Sequence, residues 1–126
     1  MTQFLITSAK PPDWNEENIY LIEQTLYVES LKSRWMNISI SETTGVYSLQ
    51  WRIPNPHNIG LEGRLHADGG AITISANPRN DAIEFALWHR KMVPEQYPLY
   101  LFDEGLNVIV ELKTDTTKKD LEDTIS

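Results

Sequence analysis

A chain of 126 residues, 40% of them hydrophobic and 23% charged, can close one core without covalent staples. It has no cysteine, which excludes disulfides, thiolate metal sites, iron–sulfur clusters and a cysteine nucleophile, and leans towards a cytoplasmic setting. The formal charge of −7 argues against a nucleic-acid partner, since phosphate binding needs a cationic face, and is compatible with a basic protein partner.

The opening "MTQFLITSAKPPDW" carries a short apolar patch without a basic flank, so it does not read as a signal peptide. No later apolar run approaches the ~20 residues of a membrane span. Residues 1–12 read as an N-terminal arm closed by Pro11-Pro12. A first helix is expected to follow, capped by Asp13 with Glu16 and running to about Leu31. Ile19, Ile22 and Leu26 recur along it at helical spacing, and Tyr20 and Tyr27 widen the stripe.

Period-two alternation comes next. In "WMNISIS" it puts Met36, Ile38 and Ile40 on one face; in "VYSLQWRI" it does the same for Tyr47, Leu49, Trp51 and Ile53. After the loop "PNPHN", "IGLEGRLH" turns Ile59, Leu61 and Leu65 inward. The hairpin signal Asp68-Gly69-Gly70 then leads into "AITISA", which closes a four-stranded meander. A second helix spans "NPRNDAIEFALWHRKMVP", with Asp81 and Glu84 as a capping pair and Pro94 as the stop. "PLYLF" and "LNVIVEL" form a hairpin around Asp103-Glu104-Gly105, and residues 113–126 end the chain as a short helix or tail starting at Thr116 or Thr117. The order α-β-β-β-β-α-β-β-α describes a single α+β domain over 1–126, with helices mainly on one face of a largely antiparallel sheet. Element order, small size and acidic balance resemble small secretion-chaperone-type folds and some immunity or inhibitor proteins. The resemblance is one of topology, without a motif, and transfers no functional residue.

Chemistry has few places to sit. On a helical wheel His89 falls in the apolar arc of Ala82, Phe85, Ala86, Met92 and Val93, with Trp88 and Arg90 on opposite edges. It reads as a core histidine bonded to a carbonyl or a buried water. Its functional alternative is a neutral base or ligand donor in a pocket between helix and sheet, with Tyr97 or Tyr100 nearby. Asp103-Glu104 suits a turn better than a catalytic pair, because adjacent strand residues diverge. His57, His66 and Asp68 lack the spacing of a metal site, and Gly60 and Gly63 fit a bulge or close packing rather than a phosphate loop. No catalytic residue beyond candidate His89, no metal and no cofactor is expected.

The outer sheet face should gather Ser48, Gln50, Arg52, Glu62, Arg64 and His66, with Trp35 at its border; Trp14, in the first turn of the first helix, is a further aromatic anchor. From Asp103 onwards there are seven acids and three bases, so a basic partner would be steered there. The leading expectation is a cytoplasmic, non-enzymatic protein-binding module of chaperone, inhibitor or immunity type, partnered by another protein or by a second copy. A small-molecule binder or hydrolase with a pocket near His89 is the alternative.

Overall fold

The computed structural model describes residues 3–9 and 19–125. In chain order these form β1 (Gln3–Thr7), α1 (Gln24–Arg34), β2 (Ser39–Glu42), β3 (Tyr47–Asn55), β4 (Asn58–His66), β5 (Ala71–Asn77), α2 (Arg79–Met92), β6 (Tyr100–Asp103), β7 (Ile109–Glu111) and α3 (Lys118–Ile125). All strand pairs are antiparallel in one seven-stranded sheet of order β2-β3-β4-β5-β1-β6-β7. The fold is the expected α+β sheet with its helices on one face.

The arm expected over 1–12 is corrected: residues 3–7 are a central strand. β1 lies between β5 and β6 and joins the β2–β5 meander to the β6–β7 hairpin. Phe4 and Ile6 are fully buried and Leu5 half-buried, so both faces of the strand are covered. A strand covered on both faces shows a short apolar run instead of alternation, and such a run carries no diagnostic period.

The first helix also starts later than expected. Residues 19–23 are not helical; Ile22 N–H donates to the Gly69 carbonyl at 2.9 Å, and Tyr20 N–H donates to Ser8 Oγ at 3.2 Å. Glu23 is the cap, its carboxylate accepting from the amides of Thr25 at 3.2 Å and Leu26 at 2.7 Å. The expected Asp13–Glu16 pair lies outside the described residues. In α2 the Asp81–Glu84 pair does not cap either: the N-cap is Pro78, and Asp81 instead accepts from Asn55 Nδ2 at 3.1 Å. α3 does carry a reciprocal cap. Asp120 N–H donates to Thr117 Oγ1 at 3.2 Å, and Thr117 N–H to Asp120 Oδ2 at 2.9 Å.

The core is built on the sheet face that presents Leu49, Trp51, Ile53, Leu61, Leu65, Ile72 and Ile74. Phe85 of α2 stacks on Trp51 with centroids 5.8 Å apart, and Tyr27 of α1 meets the same indole at 5.9 Å. Gly63 makes room for that indole: a β-carbon there would run into Trp51 Cε2, Nε1 and Cζ2. Gly63 is therefore a close-packing glycine. Gly63→Ala should cost about 2 kcal/mol in urea unfolding, the overpacking range, whereas Gly70→Ala should stay within about 0.5 kcal/mol. At Gly70 an added β-carbon meets only ordinary contacts, the nearest at 3.4 Å.

Four positions expected on apolar faces are exposed: Leu26 of the first-helix stripe, Met92 of the second-helix arc, Met36 and Ile59. Met36 is 96% exposed, because β2 begins only at Ser39 and Met36 sits in the preceding turn. Ile59 is exposed next to Gly60, whose φ of 93° accompanies a register irregularity in the β3–β4 ladder.

Candidate functional site

Two places in the fold gather side chains able to act on something else, one on each side of the sheet.

On the helix side, α2 carries His89 into the interior, where it is 2% exposed. The ring lies edge-on to Tyr27 at 5.6 Å and parallel to Phe85 at 6.3 Å, with Trp88 at 6.5 Å. Its Nδ1 shares a 2.9 Å hydrogen bond with the Tyr27 hydroxyl. The core-histidine expectation is thus met, with a phenol as the partner in place of a carbonyl or water. Burial, and secondarily the charge of Arg90, pulls the imidazole pKa down to about 3, and burial pushes the Tyr27 hydroxyl well above the ordinary tyrosine range. Both partners are neutral at physiological pH. An imidazole held that low is a poor general base there.

His89 nevertheless borders a half-open cavity of about 250 Å³ between α1, α2 and the 20–23 segment. Tyr20, Ile22, Leu26, Met92 and Val93 supply most of its apolar wall. Neither Tyr97 nor Tyr100 lines it. Tyr97 packs tilted against Tyr20, with ring centroids 5.1 Å apart, and Tyr100 stands opposite Glu111 in the β6–β7 ladder.

Arg90, the next residue, turns away and is almost completely buried. Its Nη1 donates to the carbonyls of Tyr97 at 3.0 Å and Leu112 at 3.2 Å; its Nη2 donates to those of Val93 and Pro94, both at 3.0 Å. The sequence places Arg90 only at one edge of the apolar arc of the second helix. What it could not show is that four carbonyls from the loop after α2 and the end of β7 converge on this one fork.

On the other side of the sheet the β3–β4 register sets Arg52 opposite Glu62 and Gln50 opposite Arg64, as expected for a shared face. Arg52 and Glu62 form an ion pair. His66 Nε2 shares a 3.1 Å hydrogen bond with Thr73 Oγ1. A register shift between Tyr47 and Leu49 places Tyr47 opposite His66, contrary to the expected alternation. The Tyr47 ring is edge-on to His66 at 5.1 Å and carries the Arg64 guanidinium at 5.3 Å.

Trp35 does not border this face. It caps the end of α1 on the helix side, stacked on Phe85 at 5.5 Å and edge-on to Trp88 at 4.9 Å, so its expected place at the border of the outer sheet face is corrected. The reason is that β2 starts four residues after it, leaving no strand parity to turn it outward. Trp14 lies outside the described residues. Asp103 serves its turn, Oδ1 accepting from Val108 N–H at 3.0 Å. Among the described residues no three His, Asp or Glu side chains are grouped to hold a metal ion, and no helix is long and apolar enough to cross a membrane.

Comparison with known proteins finds no matching family model, no matching curated protein and no matching solved structure. The functional reading therefore rests on the two sites themselves.

Proposed function

We propose that this is a non-enzymatic protein-binding module, in a cytoplasmic setting, that docks its partner on the outer face of β3 and β4. The observation that carries this reading is the cluster of Tyr47, Arg52, Glu62, Arg64 and His66 on a face the described helices leave open. These side chains already hold one another through an ion pair, a cation–π contact and a histidine–threonine hydrogen bond. Prior ordering lowers the entropy lost on binding, and mixed charge favours specificity and fast encounter over raw affinity. Tyr47 supplies an aromatic centre among these polar side chains.

The test compares wild type with Arg52→Gln/Arg64→Gln in affinity purification followed by quantitative mass spectrometry, with light scattering for self-association. A protein held by wild type should fall at least about tenfold on the double variant, and its association should slow as salt rises. If the retained proteins are unchanged on the folded double variant, the face is not the docking surface. A concentration-dependent dimer disrupted by the same two substitutions would make the partner a second copy.

A further inference from the structure

The cavity beside His89 lies on the opposite side of the sheet from the proposed docking face, and its lining has a definite chemical character. Its wall is mostly aliphatic and aromatic, while most of its polar groups are already engaged. The Glu23 carboxylate accepts from two α1 amides, the Ser30 hydroxyl donates to the Leu26 carbonyl at 3.0 Å, and the Tyr27 hydroxyl is held by His89 Nδ1. His89 Nε2 has no hydrogen-bond partner among the described residues, and His89 forms part of the cavity wall. A ring nitrogen without a protein partner, on a residue lining a half-open apolar space, is a group a ligand can satisfy.

Size narrows the ligand. At about 250 Å³ the space exceeds the roughly 150 Å³ of an apolar cavity that takes up benzene, and falls below the 300 Å³ at which drug-sized pockets begin. Charge narrows it further. Glu23 stands in the lining and the chain is acidic overall, so an anion meets repulsion without any cation in the wall to offset it. The mouth is apolar too: Leu26 is 62% exposed and Met92 38% exposed, an arrangement that favours entry of an apolar body.

We propose that this cavity is a binding site for a neutral, planar molecule of one or two rings bearing a single polar group, with the rings against Leu26, Met92 and Tyr27 and the polar group at His89 Nε2. The hydrogen bond serves either a donor or an acceptor, because the Tyr27 hydroxyl can give or take the proton at Nδ1. The role of the site is binding, independent of any partner on the outer sheet face.

Indole is the probe, titrated into the intact protein at pH 7 by calorimetry and by amide NMR. Saturable binding of one indole per chain is expected with Kd below about 1 mM, with shifts confined to α1, the 20–23 segment and the end of α2. An indole carboxylate, with the same ring and a negative charge, should bind at least about tenfold more weakly. Leu26→Trp fills the mouth from an exposed position and should weaken indole at least about tenfold with an unchanged Tm; Met92→Trp serves equally if the first variant is unstable. Absence of saturation, equal binding of the carboxylate, or indole affinity untouched by the folded mouth variants would each overturn the proposal.

Discussion

Arg90→Met is expected to lower the free energy of unfolding by about 4 kcal/mol, the largest effect of any single substitution considered for this fold. The argument begins with the carbonyls. Those of Val93, Pro94, Tyr97 and Leu112 all accept from one guanidinium, and those of Val93 and Leu112 do so through fully buried bonds. Methionine matches the length and bulk of the stem but offers no donor, so carbonyls out of reach of water lose their partners at about 1–3 kcal/mol each. Among the described residues no acid lies within ion-pair distance of Arg90; the carbonyl dipoles at the end of α2 and the more distant Glu95 and Glu111 offset its charge. Lysine restores the charge but not the planar fork, so Arg90→Lys should recover only about half of the loss. Thermal unfolding reads the effect as a drop in Tm of roughly 15 °C for Met. Hydrogen exchange localises it: the Leu112 amide, bonded to the Leu99 carbonyl at 2.8 Å, should lose protection first. A loss below about 1 kcal/mol would mean that the loop after α2 satisfies itself without the fork.

That Arg90 is structural while its neighbour borders a cavity shows where sequence reasoning ended. Periodicity reports which side of an element faces inward, and it did so correctly for Leu49, Trp51 and Ile53, for Leu61 and Leu65, and for Ala82, Phe85, Ala86, His89 and Val93 of the α2 arc, though not for Met92. It could not report what the inward side meets. His89 and Arg90 are both buried, yet one ends at a phenol and the other at four carbonyls supplied by distant segments. Parity also failed wherever the ladder departs from regularity. The shift between Tyr47 and Leu49 carried a tyrosine to the outer face, and the late start of β2 left Trp35 stacked on Phe85. β1 was missed for a different reason, since five residues covered on both faces show no alternation. The cavity had no local signature at all: its wall is drawn from the 20–23 segment, α1 and the end of α2, and only their docking creates it.

The same docking makes stability depend on pH. The imidazole of His89 titrates at about 3 in the folded chain, against about 6.5 for an unperturbed histidine in the unfolded one. Between those values the unfolded state binds a proton that the folded state refuses. The contribution of His89 is therefore complete above pH 6.5 and is lost as pH falls towards 3. The slope approaches about 1.4 kcal/mol per pH unit, so some 3 kcal/mol should disappear by about pH 4, with about 2 kcal/mol of it above pH 5, where carboxylates still contribute little. Urea unfolding at half-unit steps from pH 7 to 4 measures the slope. His89→Gln keeps a hydrogen-bonding group for Tyr27 but cannot titrate, so the segment between pH 6.5 and 5 should flatten whatever the variant's absolute stability. In NMR the His89 ring signals should stay fixed down to about pH 4 while the protein remains folded. A midpoint near 6 would mean that water reaches the imidazole and stabilises its charge. In that case the nitrogen offered to a ligand in the cavity would already be hydrated, and the geometry around Tyr27 would be that of an open, wet site.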